Sequence, residues 1–345
     1  MSTEVHEHMS TGVREYETTR PRLGFLGVGW IGRHRMEAIA RSGVAEIAAV
    51  ADASPQMREE AMAAAPDAEV VNSLDELLEL QPDGIVIATP SALHAEQSIA
   101  VLERGVAVFC QKPLGRTGAE ASAVVDAARL ADRLLGVDFS YRFTEGMQRI
   151  RELVQSEALG RIYAVDLVFH NAYGPDKPWF YDRALSGGGC VMDLGVHLVD
   201  LALWTLDFPA VEEVTSRLFS GGTPLGPQPS AVEDYAMVRL DLGSGAAVQL
   251  GCSWKLSAGC DAVIGAAFYG TGGGAALRNV NGSFYDFIAE RFHGTARETL
   301  AEPPDDWGGR AATRWAERLA RGERFDPEAE RLVKVAEVLD RIYGV

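Results

Sequence analysis

From Arg22 onward, short all-apolar runs alternate with longer stretches whose apolar residues recur at helical spacing. Leu23–Leu26, Glu46–Ala51, Val70–Val71, Gly84–Thr89, Val106–Cys110 and Leu134–Ser140 read as strands. The segments between them read as helices. Ile31–Ser42 closes at Gly43, Pro55 opens the next, and Ser73 can cap Leu74–Leu80. His94–Arg104 stops at Gly105, and Thr117 can cap a helix running to about Ala131. Ser, Thr or Pro before a helix and Gly just past one are the usual end signals. Strands that are apolar throughout are buried on both faces, and strands separated by helices pair in parallel. The first part is therefore predicted to be a doubly wound α/β domain.

Beyond Tyr141 the pattern changes. A helix around residues 144–157 precedes Arg161–His170, where polar and apolar residues alternate imperfectly. After a loop, a long apolar helix runs from about Gly189 to Leu206. Val211–Phe219, Asp234–Leu240, Ala246–Trp254, Val263–Tyr269 and a short strand near Ala276–Arg278 follow, separated by Gly-rich turns. Strands without intervening helices predict a mostly antiparallel open sheet. Arg310–Arg321 and Pro327–Tyr343 read as closing helices, the last able to pack back on the first domain. A length of 345 residues suits this division: a polar, disordered tail over 1–20, a dinucleotide-type domain over 21–142 and a second α/β domain over 143–345.

Charge narrows the partners. With 32 basic and 49 acidic residues the net charge is −17, which disfavours nucleic acid and anionic membrane surfaces. No apolar run approaches the ~18–20 residues of a membrane helix. Cys110, Cys190, Cys252 and Cys260 form no Cys-x-x-Cys pair, so neither a zinc cluster nor a disulfide framework is signalled, and a reducing cytoplasm is expected. His6 and His8 read as part of a solvated tail, and no metal is expected.

Gly27-Val28-Gly29-Trp30-Ile31-Gly32 lies between a strand and a helix, and Asp52 ends the next strand. That is the setting in which a glycine turn holds a pyrophosphate at a helix N-terminus and an acid about 20 residues on takes the ribose. Gly27 permits the turn, Gly29 lets the backbone approach the phosphates, and Gly32 lets helix and strand pack closely. A carboxylate accepts from a 2′-hydroxyl and repels a 2′-phosphate, so NAD is expected rather than NADP. The second glycine cluster, Gly270–Gly274, has no helix after it and reads as a hairpin turn.

Three further stretches carry reactive side chains. Gln111-Lys112-Pro113 follows a strand at the carboxyl edge, where ligands of such sheets lie, although a lysine there can equally be a solvated charge. Asp193, His197 and Asp200, after Gly187-Gly188-Gly189, are spaced to share one face of an apolar helix. Polar groups so placed need partners or a purpose. His197 can exchange a proton near neutral pH, can be a core histidine satisfied by Asp193 one turn earlier, or can join Asp193 at a metal for which no third ligand is evident. Thr89-Pro90-Ser91-Ala92-Leu93-His94 turns the chain over the sheet edge, where His94 either touches a cofactor or merely starts a helix.

Together the glycine fingerprint, Thr-Pro-x-x-x-His, the Lys-Pro after a strand and Gly-Gly-Gly-x-x-x-Asp-x-Gly-x-His-x-x-Asp resemble the glucose–fructose oxidoreductase / inositol dehydrogenase / MocA family, from Arg22 over nearly the whole chain. The resemblance implies a Rossmann domain followed by an α/β domain whose open sheet forms a homodimer or homotetramer interface. It implies NAD(P)-dependent oxidation of a sugar or polyol carbinol, or the reverse. Lys112 would bind the reacting hydroxyl and the nicotinamide ribose, His197 would take the hydroxyl proton, and Asp193 would orient substrate and tune that histidine. Cofactor contacts would come from Gly27, Gly29, Trp30, Ile31, Gly32, Asp52, Thr89, Pro90, His94, Gln111 and Lys112. Arg142 could reach the cleft at the domain junction, and His170 and Trp179 fall where the substrate wall varies. One position departs: the family usually has Glu where this chain has Gln111, which weakens any ion pair with a neighbouring cation. An NAD-dependent glycoside hydrolase working by transient oxidation, or a sugar- or NAD-sensing regulator without catalysis, are the alternative readings.

Overall fold

The computed structural model describes residues 20–226 and 230–345. The tail expected over 1–20, with His6 and His8, lies outside the described residues except for Arg20. The first part builds β1 (Arg22–Leu26), α1 (Trp30–Ser42), β2 (Glu46–Ala51), α2 (Pro55–Met62), β3 (Glu69–Val71) and α3 (Leu74–Glu79). It continues with β4 (Gly84–Ile87), α4 (Ser91–Glu103), β5 (Ala107–Cys110), α5 (Gly118–Ala131) and β6 (Leu135–Val137). The six strands form one parallel sheet in the order β3-β2-β1-β4-β5-β6, so the order reverses between β1 and β4. Every residue of β4 and β5 is buried, as their unbroken apolar runs require. Ser54, Ser73 and Thr117 cap α2, α3 and α5 through their hydroxyls.

The second part comprises α6 (Glu145–Gln155), β7 (Ile162–Asn171), the single turn α7 (Arg183–Ser186), α8 (Val196–Thr205) and β8 (Val211–Ser220). Then come β9 (Thr223–Pro224), β10 (Tyr235–Leu242), β11 (Ala247–Ser253), β12 (Ala262–Gly270), β13 (Gly273–Asn279), β14 (Phe287–His293) and β15 (Ala296–Ala301). Helices α9 (Arg310–Ala320) and α10 (Glu330–Tyr343) close the chain. The nine strands run in the order β15-β14-β13-β12-β7-β11-β10-β8-β9, all antiparallel except the β7–β11 pair. Residues 270–273 make the β12–β13 hairpin, so the second glycine cluster is a turn.

Three features depart from the pattern-based expectation. The last strand of the parallel sheet is only Leu135–Val137, and Ser140–Phe143 is a 3₁₀ turn. Strands β14 and β15 each contain an adjacent pair of charged residues, Glu290-Arg291 and Arg297-Glu298, that interrupts an apolar alternation. The long helix expected from Gly189 to Leu206 opens instead with a π turn over Val191–Gly195 before α8 begins.

Helices α6 and α8 cover one face of the large sheet. No described helix covers the other face, and Met237 and Tyr269 on it are 49% and 37% exposed. The parallel sheet is completed from the far end of the chain. Trp315 of α9 packs on Phe109 at 5.7 Å and fits only because Gly84 and Gly136 leave room, where a Cβ would come within 2.7 and 2.8 Å of its ring. Helix α10 leans on α5, with Asp340 accepting the Gly118 N–H at 2.8 Å.

Candidate active site

A cleft of about 1220 Å³ runs along the carboxyl ends of β1, β2, β4 and β5 and is roofed by residues of the second part, from Asp176–Phe180 to Trp307. At one end lies the glycine turn. Gly27 has φ +86, and its N–H donates to the Ala51 carbonyl at 2.8 Å. A Cβ on Gly27 would come within 2.6 Å of the Ala88 carbonyl group, and one on Gly32 within 2.0 Å of the Gly27 oxygen. Among the described residues a Cβ on Gly29 would meet only the Lys177 Nζ, at 3.4 Å, so this glycine keeps the cleft side open. The two close approaches are to backbone and cannot relax by a side-chain movement. Gly32→Ala is expected to lose NADH binding in a fluorescence titration and to cost about 1–3 kcal/mol in thermal unfolding.

Asp52 ends β2 with its carboxylate fixed: Oδ2 accepts from the Val28 N–H and Oδ1 from the Ser54 N–H, each at 2.8 Å. The nearby guanidiniums are already engaged. Arg58 donates to the Asp52 carbonyl at 2.5 Å, and Arg33 pairs with Glu60. Glycines that leave a cradle, an uncapped helix start and an acid with free lone pairs fit a dinucleotide bearing a free 2′-hydroxyl. Trp30 and Ile31, in the first turn of α1, and Thr89 and Pro90, ahead of α4, line the same cleft. Trp30 is 58% exposed and stacks on His34. His94 is held differently from a free cofactor contact. Its Nδ1 and Nε2 lie 2.7 Å from the Pro113 and Thr89 carbonyls, so it ties two strand-end loops together.

At the other end, Lys112 Nζ donates to the Asp193 carbonyl at 2.6 Å and to its Oδ1 at 2.8 Å. The Trp254 Nε1–H donates to Asp193 Oδ2 at 3.1 Å. Asp193 therefore turns toward Lys112 and Trp254 and makes no hydrogen bond to His197, which corrects the idea that it tunes that ring directly. The π turn explains the difference, because it rotates Asp193 away from the face that ideal helical spacing gives it. His197 is buried, packs edge-on to Tyr141 at 4.9 Å, and its Nδ1 has no hydrogen-bond partner. Burial, then the nearby Lys112 and Arg35 charges, push it well below the ordinary histidine pKa, so the ring is neutral.

Gln111 acquires a physical reason. Its amide donates to Asp138 Oδ2, which also accepts from Arg35 Nε at 2.6 Å, and Asp138 is fully buried. A glutamate at 111 would set two carboxylates against each other. The glutamine supplies a donor instead, and the negative charge comes from Asp138 at the end of the neighbouring strand.

Two expected substrate residues do not reach the cleft. Arg142 is clamped on buried Asp200, Nε to Oδ2 at 2.8 Å, with its guanidinium 5.0 Å from the Phe139 ring centre. Asp200 thus neutralises Arg142 rather than joining Asp193 and His197. His170 lies on the open face of the large sheet, hydrogen-bonded to Ser253 Oγ at 2.8 Å and stacked on Tyr235, because β7 alternation points it away from the core. Trp179 does line the cleft, stacked on Phe180 at 3.8 Å.

Sequence reasoning missed Glu233. This buried carboxylate accepts the Gly189 and Val191 N–H groups and the Tyr343 hydroxyl, each at 2.9 Å, and so fixes the turn that carries Asp193. Gly188 and Gly189 are needed there, since a Cβ would fall 1.9 Å from the Tyr343 hydroxyl or the Glu233 carbonyl oxygen. Arg35 was also missed, although it stands among the buried apolar positions of α1 beside Met36 and Ile39.

Residues 22–139 match the oxidoreductase family with an NAD-binding Rossmann fold, and residues 147–276 match the Gfo/Idh/MocA C-terminal domain. The chain belongs to the Gfo/Idh/MocA family. Like its relatives it is an oxidoreductase, and residues 22–139 form an NAD-binding Rossmann domain. Among family members, the chain is 30% identical over 318 residues to inositol 2-dehydrogenase of Rhodococcus erythropolis, spanning 91% of this chain and 83% of that protein. It is 31% identical over 211 residues to D-glucoside 3-dehydrogenase of Escherichia coli, spanning 58% of this chain but only 60% of that enzyme. The fold matches levoglucosan dehydrogenase in complex with NADH and levoglucosan with a TM-score of 0.80 at 21% identity, covering 93% of this chain and 96% of that one. No described helix is long and apolar enough to cross a membrane.

Proposed function

We propose that this family member is an NAD-dependent dehydrogenase of a sugar or polyol carbinol, with Lys112 and His197 as its hydroxyl-binding and proton-transfer groups. The observation that carries the reading is the pairing of an anchored cation with a neutral histidine on one cleft wall. Lys112 is held on two Asp193 oxygens, and His197, buried and neutral, lines the same cleft. When bound, NAD supplies the hydride acceptor. Lys112 donates a hydrogen bond to the carbinol oxygen and favours its ionised form. His197 accepts the hydroxyl proton as the carbon gives up hydride, and returns it in the reductive direction. Asp193 holds the lysine and offers its carboxylate to a neighbouring hydroxyl. Trp179 and Trp307 supply flat apolar walls to the sugar. Cations at this end are balanced, Lys112 by Asp193 and Arg35 by Asp138, which favours a neutral substrate over a phosphorylated one.

Oxidation needs His197 unprotonated, and its pKa lies below the ordinary 6.5. The neutral form persists above its own pKa and is lost as pH falls through it. The rate of oxidation is therefore expected to hold level above pH 6.5 and to fall only on the acid side of it. An acid limb in kcat/KM above that value would contradict the assignment of the base.

Assembly as a homodimer or homotetramer is read onto the open face of the large sheet, where Met237 and Tyr269 are uncovered. Four free thiols, three of them buried, accord with the reducing cytoplasm as its location.

A further inference from the structure

Lys177 belongs to the second part of the chain, in the segment between β7 and α7, yet its ammonium reaches the glycine turn of the first. Among the described residues, the one atom beyond its chain neighbours and its own helix that a Cβ on Gly29 would meet is Lys177 Nζ, at 3.4 Å. Gly29 is the position whose missing side chain lets a pyrophosphate approach the backbone. The ammonium thus stands at the edge of the phosphate cradle.

Its surroundings are wrong for a lone cation. Gly29 is the N-cap of α1, no side chain caps that helix, and its first turn carries no acidic residue. A helix N-terminus carries partial positive charge, so an ammonium there is repelled unless an anion lies between. The Lys177 ammonium makes no hydrogen bond or ion pair with any described residue, in a chain whose net charge is −17. Pyrophosphate between the α1 amides and Nζ would satisfy both.

The segment that carries Lys177 is braced on the catalytic end. Tyr181 packs on Trp254 at 5.6 Å, and Trp254 holds Asp193 through its indole N–H at 3.1 Å. Trp179 and Phe180, two and three residues after Lys177, stack on one another at 3.8 Å and form part of the cleft wall.

We propose that Lys177 is a pyrophosphate-binding residue delivered across the cleft, and that it ties the wall at Trp179 and Phe180 to the bound dinucleotide. This rests on NAD binding alone. Failure of the protein to oxidise any sugar would leave it standing, and its test needs no substrate.

The test compares wild type, Lys177→Met and Lys177→Arg for binding of NADH, ADP-ribose and adenosine. Lys177 is exposed, so the variants are expected to fold. A charge-assisted hydrogen bond at a partly solvated site corresponds to about tenfold in affinity. Lys177→Met is expected to weaken NADH and ADP-ribose binding by about that factor and to leave adenosine binding unchanged, while Lys177→Arg retains most of the NADH and ADP-ribose affinity. In hydrogen exchange, ADP-ribose is expected to slow residues 172–182 in wild type but not in Lys177→Met. The proposal is overturned if Lys177→Met binds ADP-ribose as tightly as wild type. It is equally overturned if adenosine affinity falls in parallel, or if ADP-ribose protects the segment in both proteins alike.

Discussion

His197→Gln is expected to lower kcat for carbinol oxidation by about 10²–10⁴-fold, the range that removal of a general base commonly produces. The ring takes no part in the phosphate cradle or at Asp52, which lie at the other end of the cleft, so the affinity for NADH should be unchanged. Glutamine preserves polarity and approximate length, which limits the cavity left beside Tyr141 and Phe169. The acid limb assigned to this residue should vanish with it. Steady-state kinetics across pH, paired with an NADH titration, separates the two effects. Retention of turnover with an unaltered acid limb would remove His197 from the chemistry.

Lys112→Met is expected to cost about 10²–10³-fold in kcat/KM, as loss of one preorganised donor to a developing oxyanion does. It carries a second signature that a packing defect would not produce. The Lys112 charge is the largest electrostatic contribution lowering the His197 pKa after burial, so its removal lets that pKa rise. The residual activity should then show an acid limb displaced to higher pH. Lys112→Arg should not rescue, because a planar fork cannot reproduce a point donor held on the Asp193 carbonyl and carboxylate together. Undiminished turnover in Lys112→Met, or an acid limb that stays in place, would count against the role given to this lysine.

The parallel sheet was readable because its strands are buried on both faces and therefore spell continuous apolar runs between capped helices. The glycine turn was readable for a related reason: Gly27 and Gly32 occupy places where any Cβ strikes backbone, and Asp52 sits where the next strand must end. Strands β14 and β15 were not, since an adjacent pair of charged residues in the middle of each breaks the period. At the catalytic end, residue types were readable but pairings were not. Helical spacing placed Asp193, His197 and Asp200 together, whereas a π turn sends the first to Lys112 and burial gives the last to Arg142. Arg142 and His170 illustrate one limit. Whether a polar side chain faces a cleft or an ion-pair partner depends on contacts between segments far apart in sequence. Glu233 and Asp138 illustrate another, because buried carboxylates that organise backbone or a neighbouring amide look, in a sequence, like any solvated acid.

The most direct measurement mixes the purified protein with NAD and a panel of neutral sugars, polyols and glycosides. It follows reduced nicotinamide spectroscopically and carbonyl product by mass spectrometry. Wild type is expected to form NADH and keto product in equal amounts from at least one panel member, and Lys112→Met and His197→Gln to form neither at a comparable rate. Release of an aglycone with no net NADH, or product formation undiminished in both variants, would contradict the account.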